Sequence, residues 1–267
     1  MKQQVFKYLR VYGQISELAI KTLLEYRLNA VVQASFGFVY FAGLFIILQT
    51  VFAKTNSLGG WNKAELMVML GLTSVNWGFI ETFYFGNLRR FMMVGVANGT
   101  LDSVLTKPVS PQFLISFSQP NMGFVAHPLG LMLFLIYWLW QVKDSITLSS
   151  LLSFLVVMIA SSIIVYTVFL SYAALAFYLT KSSQTIRALQ TLADHAQYPT
   201  AIYPFPIFIG LSIVVPIAFI GYFPTVFLFG RGNSLLLSLI VSFAVITYLF
   251  SKIIWRISLR RYTSVSS

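Results

Sequence analysis

Residues 147–180 read TLSSLLSFLVVMIASSIIVYTVFLSYAALAFYLT, without one charged side chain. A helix rising about 1.5 Å per residue crosses the roughly 30 Å of bilayer hydrocarbon in about 20 apolar residues. The stretch is therefore a membrane span with length to spare, which implies tilt or a helical extension beyond the bilayer. An ionised side chain at the bilayer centre costs about 2.5–3.5 kcal/mol on insertion scales, so gaps between charges mark spans. Working outward, such gaps predict membrane helices over 29–53, 66–88, 122–142, 148–180, 202–223 and 234–255. The fold class is all-α, one polytopic transmembrane domain of six spans over residues 1–267. The composition agrees, with 58% hydrophobic and only 9% charged residues. A soluble domain, in which about a quarter of residues are charged, is excluded. The chain carries 18 Lys and Arg against 7 Asp and Glu, and no cysteine. A disulfide framework and thiol-ligated metal are thereby excluded.

Two regions interrupt the simple pattern. Residues 1–28 carry charges throughout, among them Lys7, Glu17, Lys21 and Glu25, which leaves no apolar stretch for a cleavable leader. Their periodicity fits a helix lying in the membrane interface or a solvated amphipathic helix. The fifth stretch is punctuated by Pro204, Pro206, Pro216 and Pro224, after Pro199. A straight helix does not accommodate that spacing, so a kinked or partly re-entrant element packed against protein is expected, ending at Arg231. With the N-terminus inside, the only basic residues left outside are Lys54, Lys63, Lys143 and Arg231. That asymmetry orients the chain with both termini cytoplasmic, and makes the net charge of +11 a topological signal rather than a nucleic-acid footprint.

Chemistry-bearing residues are sparse. His127 and His195 stand apart, neither with a metal-ligand neighbour at helical spacing, so no catalytic or metal site is expected. No Gly-x-x-x-x-Gly-Lys-Ser/Thr loop exists, so the chain binds no nucleotide phosphates by that route, and any ATP dependence belongs to a partner. Glu81 is the one acid inside the hydrocarbon zone. It is a candidate intramembrane polar site, or an ion-pair partner for Arg89 or Arg90 two turns on.

The connection 89–121 between the second and third spans is the most informative. Asn98-Gly99 reads as a turn, Thr100 opens a short helix through Asp102, Val104 and Leu105, and Lys107-Pro108 stops it. So short a helix must dock on something. Leu101, Val104 and Leu105 share an apolar face, which meets either a partner or the chain's own spans.

Gly99-Thr100-Leu101-Asp102 through Leu105 and Lys107-Pro108, with Pro111 and Phe113, resembles the Gly-x-Leu-Asp-x-x-Leu-x-x-Pro signature of ABC exporter permeases of the type-two class. Tyr198-Pro199, Pro204, Val215 to Phe219, Pro224 and Gly230-Arg231 are similar to that family's fifth-span region. A weaker likeness is Gly60-Trp61 with Glu65-Leu66. The resemblance implies two permease subunits, identical or sister chains, joined to a pair of ATPase subunits that hold ATP and Mg. Residues 100–107 would then be the coupling helix, residues 1–28 the interface helix, and the region of Pro204, Pro216, Pro224 and Arg231 a re-entrant or gate region. It places the protein in a bacterial plasma membrane, exporting an unidentified substrate by alternating access. An ion-coupled secondary transporter, or a membrane-embedded lipid or glycan enzyme, is the alternative; buried acids or a histidine cluster would favour those. Phe36, Phe38, Tyr40, Phe41, Phe45, Tyr203, Phe205, Phe208 and Phe219 are candidates to line a route for a hydrophobic substrate.

Overall fold

Helix starts follow local chemistry. Asn62 accepts from the Glu65 N–H at 3.0 Å while the Glu65 carboxylate accepts from the Asn62 N–H at 2.9 Å, a reciprocal cap. Thr147 and Ser150 repeat that cap, and Asn233 accepts from the Leu236 N–H. The computed structural model describes residues 2–95, 99–178 and 203–262. They form α1 (Lys2–Glu25), α2 (Arg27–Phe52), α3 (Lys63–Ile80), α4 (Gly86–Arg90), α5 (Thr100–Leu105), α6 (Pro111–Phe117), α7 (Ala126–Gln141), α8 (Leu148–Ala174), α9 (Phe205–Val214), α10 (Ile217–Ile220), α11 (Tyr222–Leu228) and α12 (Ser234–Arg260). Two π-helical turns, Glu81–Phe85 and Phe91–Gly95, flank α4 and make α3 and α4 one continuous rod. Among the described residues there is no β-sheet.

Among the described residues, five helices are long and apolar enough to cross a membrane: Arg27–Phe52, Lys63–Met93, Met122–Gln141, Leu148–Phe177 and Ser234–Arg260. The expected fifth span, 202–223, is not one of them. Its described part is broken into α9, α10 and the start of α11, none of them long enough to cross alone. Proline accounts for the breaks: Pro204 precedes α9 and Pro216 precedes α10, positions where the missing N–H is not needed. Pro224 lies in the first turn of α11 for the same reason. Lys181, Arg187, Asp194, His195, Tyr198 and Pro199 lie outside the described residues.

The rod Lys63–Met93 is the hub: its apolar stretch is mostly buried, whereas that of Arg27–Phe52 is mostly exposed. Aromatic contacts give the helix directions. Tyr84 meets Tyr166 at 5.4 Å, Phe91 meets Phe177 at 5.7 Å, and Phe177 meets Trp255 at 5.8 Å, so α3, α8 and α12 run parallel. At the middle of the rod, Asn76 lies beside Met158. The remaining pair, α2 and α7, also run parallel to each other, with Phe38 against His127 and Phe41 against Phe134. They oppose α3, because Gly78 packs under Pro128 and Gly71 under Phe134. Between α8 and α12 the described elements are α9, α10 and α11. Along α12 the inward side is Ile240, Ala244, Thr247 and Ser251, while Ser238 and Ser242 are exposed.

Broken backbone is tolerated at hydrocarbon depth only where protein supplies the missing hydrogen bonds. Here three devices do so. The Tyr172 hydroxyl donates to the Val214 carbonyl at the end of α9. The Asn76 side-chain amide donates to the Ile220 carbonyl at the end of α10, at 2.7 Å. At the end of α11 the Gly230 N–H bonds the Phe227 carbonyl and the Arg231 N–H the Val226 carbonyl, with Gly230 at φ 66. That is a Schellman closure, for which the left-handed residue is best glycine. The Ile220–Gly221 break presses so closely on α3 that a Cβ at Gly221 would lie 1.7 Å from Thr73 Oγ1 and 3.0 Å from Thr73 Cα.

Gly221→Ala is accordingly expected to destabilise the detergent-solubilised protein by about 1–3 kcal/mol, the usual cost of overpacking. Gly43→Ala, whose Cβ would meet nothing within 4 Å, is expected to melt like the wild type. Equal thermal unfolding of the two variants would show that the α10–α3 contact is not tight.

Candidate functional site

The segment from Gly99 to Asn121 is held to three different helices. Gly99, at φ 65, turns the chain so that its carbonyl accepts from the Asp102 N–H at 3.0 Å and starts α5. Leu101 is fully buried and Val104 nearly so, in one cluster with Leu88, Phe91, Met92, Leu114 and Ile115. This is where sequence left two readings open: Leu101 and Val104 face the chain's own core, while Leu105 is 44% exposed. The outward surface is Ser103, Leu105, Thr106, Lys107 and Pro108, with Asp102 half-buried beside it. The Thr100 side chain is outside the described residues.

Three sets of bonds fix α5 and α6. On the rod, Asn87 Oδ1 accepts from the Gln119 N–H at 3.1 Å, and the Thr82 carbonyl, within the first π turn, accepts from the Asn121 N–H at 2.8 Å. On α8, the Tyr166 hydroxyl lies 3.0 Å from Ser116 Oγ and 3.3 Å from the Gln112 amide nitrogen. On α1, the Lys7 ammonium donates to the Pro108 carbonyl and the Tyr8 hydroxyl accepts from the Ser110 N–H. Phe113 adds edge contacts to Tyr8 and Tyr12 at 4.9 and 6.5 Å. Burial there pushes the Tyr12 phenol above its ordinary pKa. Further along α1, Lys21 pairs with Glu17 at 2.7 Å and its hydrogen bond holds that carboxylate below its ordinary value. Both side chains are well exposed, so the pair contributes little to stability.

Glu81 forms an ion pair with Arg89 at 2.7 Å, and the guanidinium also lies 5.7 Å from the Phe85 ring centre. The first π turn lies between the two residues. Their pairing spares a carboxylate in the rod from standing alone in a poorly solvated place.

At the opposite end of the rod the two segments quoted separately from the sequence come together. Arg231 Nη2 binds Glu65 Oε1 at 2.6 Å, its Nη1 donates to the Gly60 carbonyl at 3.0 Å, and its guanidinium stacks 4.0 Å from the Trp61 ring centre. Glu65 thus divides its oxygens between Arg231 and the α3 cap. Trp61 is buried against Tyr222 and Phe229. Local geometry aims both sides. Gly59 and Gly60, at φ 59 and 81, turn the chain so that Leu58 and Trp61 pair, and the Schellman closure at Gly230 presents Arg231. Of the re-entrant-region candidates, Pro216 and Pro224 are buried, whereas Pro204 is exposed and Arg231 sits in this clasp.

The aromatic candidates do not converge on one lining. Phe36 and Phe205 are each 72% exposed, Phe41 and Phe45 pack on Phe134, and Phe38 covers Gly130. Phe208 and Phe219 are the exceptions, sharing an apolar cleft beside α12, and Phe219 also lines a cavity between α3, α8 and α10 with Asn76. His127 is buried at the start of α7 between Phe38 and Phe124, over Gly37. Among the described residues no three His, Asp or Glu side chains gather as a metal site. Sequence reasoning passed over Asn76, Asn87, Tyr166 and Tyr172. The available signal was polarity: an amide in the middle of an apolar run needs a partner.

The sequence profile of a family described as "ABC-2 family transporter protein" matches residues 38–266, beginning within α2. No curated protein and no solved structure gives a significant match.

Removing the guanidinium in Arg231→Ala leaves the Glu65 carboxylate, with a side chain only 11% exposed, without its charged partner. The expected loss is about 1–3 kcal/mol in thermal unfolding, with Arg231→Lys recovering part because a single ammonium lacks the fork. In a double-mutant cycle with Glu65→Gln, a coupling near zero would remove the clasp from the account.

Proposed function

The chain belongs to the ABC-2 transporter family, and from that membership we propose that it is the membrane-spanning permease subunit of an ATP-driven exporter. It is a multi-pass membrane protein of an ABC transporter, and the family implies an ABC ATPase as its partner. Beyond this, the proposal is that two permeases, identical or sister chains, stand on a pair of ATPase subunits that hold ATP and Mg. Each would cross the plasma membrane six times with both termini cytoplasmic. The parallel course of α3, α8 and α12 supports the count. Five long helices in those directions need one more crossing between α8 and α12, and residues 179–233 provide the chain for it.

The observation that carries the coupling proposal is the division of α5 into two faces. Its inner face, Leu101 and Val104, is built into the bundle, and its outer face, Leu105, Thr106, Lys107 and Pro108, is free to be gripped. A motor holding that outer face would move α5 and α6 as a unit. The bonds through Asn87, Thr82, Tyr166, Lys7 and Tyr8 would pass the movement to the rod, to α8 and to α1. An inward-open to outward-open equilibrium is shifted only as far as the ATP-bound dimer prefers one arrangement, so a stiff linkage counts for more than a tight one. The Glu65–Arg231 clasp would hold the far end of the rod to the α11–α12 turn. The pairing of Glu81 with Arg89 favours this reading over an ion-coupled transporter, because a proton relay needs a carboxylate free to change its charge.

Leu105→Asp or Lys107→Glu is expected to lower ATPase association, and stimulation of the ATPase by the permease, about tenfold without changing the permease's melting temperature. Leu101→Asp places a charge in the buried cluster and is expected to lose the folded protein itself. Full assembly and stimulation in Leu105→Asp/Lys107→Glu would place the docking surface elsewhere.

A further inference from the structure

Near the middle of the bundle, between α3, α8 and α10, lies a cavity of about 240 Å³. Asn76 is the fourteenth residue of the rod that begins at Lys63, and Ser161 the fourteenth of the span that begins at Leu148, so both belong at mid-bilayer depth. The walls are aromatic, from Phe79, Phe83 and Phe219, and among the described residues no charged side chain lines them. Three polar side chains stand among the lining residues. Asn76 spends its amide hydrogens on the Ile220 carbonyl at 2.7 Å and on Met158 Sδ at 3.7 Å, leaving its carbonyl oxygen as an acceptor. Ser162 donates to the Met158 carbonyl and keeps its acceptor lone pairs. Ser161 is 3% exposed, and its hydroxyl has no hydrogen-bond partner.

An unsatisfied hydroxyl at hydrocarbon depth is costly, since neither lipid tails nor bulk water can bond it. Alanine would fill the same place on α8 without that penalty. We propose that this cavity is a binding site for an uncharged aromatic compound bearing a hydroxyl or amide group. The polar end of the ligand bonds Ser161 and the Asn76 oxygen, and its rings lie against Phe79, Phe83 and Phe219. A cation is disfavoured because no carboxylate is present to offset its desolvation, and an anion because no basic group is. The volume suits a body of one or two rings. The site deepens the transport reading by giving its substrate a chemical class, and rests on that reading only for the word substrate; occupancy itself is independent of any motor.

The test uses the full chain in lipid nanodiscs, photolabelled with 4-[3-(trifluoromethyl)-3H-diazirin-3-yl]benzyl alcohol, a neutral aryl alcohol, and mapped by peptide mass spectrometry. Labelling of the peptides around Phe79–Phe83 and Met158–Val165 is expected to saturate. Labelling of lipid-facing α2 should rise linearly with probe and serves as the internal reference. Excess 1-naphthol should compete about tenfold better than 1-methoxynaphthalene, which lacks the donor, and Ser161→Ala should reduce saturable labelling about two- to tenfold. Ser161→Leu fills the cavity and should abolish it. Saturable labelling absent from the wild type, or unchanged in Ser161→Ala with both competitors equal, would overturn the proposal even if Ser161→Leu fails to fold. Co-purification of the same chain with an ATPase is scored separately. A bound ATPase without saturable labelling removes the site and leaves the transport reading, and the reverse result removes the motor and leaves the site.

Discussion

In hydrocarbon every backbone carbonyl must find its donor inside the protein, and the broken segment Phe205–Leu228 is where this chain meets that constraint at its hardest. Proline divides the segment into short helices, and each division releases carbonyls. Asn76 takes one, Tyr172 another, and the Schellman closure at Gly230 the last. This explains why the rod from Lys63 to Met93 is the buried hub although other helices are more apolar. It carries the amide that lets a broken segment exist beside it, and Gly221 fits against Thr73 because no side chain intervenes.

The same rod links the two ends of the molecule. At one end Glu65, capped on Asn62 and clasped by Arg231, fixes where the rod begins relative to α11 and α12. At the other the π turns redirect the backbone, expose the Thr82 carbonyl to Asn121 and bring Glu81 and Arg89 together. A π turn inserts an extra residue into the helical period and commonly marks a functional position. Here it is the place where α5 and α6 are tied to the spans. A force on the outer face of α5 would thus meet bonded backbone rather than a flexible tether.

Where long apolar helices begin was legible from the sequence because a charge at the bilayer centre is so costly that its absence over a run is informative. The rod and the helices beginning near Leu148 and Ser234 start within a few residues of where the charge gaps place them. The broken fifth stretch was legible through its prolines, though not that it would yield three short helices. What periodicity could not give was pairing at a distance. Glu65 and Arg231 are 166 residues apart, and nothing local indicates that they meet. Nor does the pattern of α5 decide its orientation: with apolar side chains at 101, 104 and 105, turning the helix slightly decides which of them is buried. The neighbours Leu88, Phe91, Leu114 and Ile115 settle that, and they come from other elements.

The central claim is that the outer face of α5 is where an ATPase takes hold, and the chain suits a direct test because it contains no cysteine. Single cysteines would be placed at Leu105, at Lys107 and, at the other end of the rod, at Lys54, and each joined to a short maleimide–diazirine reagent that is photoactivated in the assembled complex. Cross-links to the ATPase from positions 105 and 107 and none from 54 are predicted. Cross-linking from 54, or its absence from both 105 and 107 in a complex that still assembles, would contradict the account.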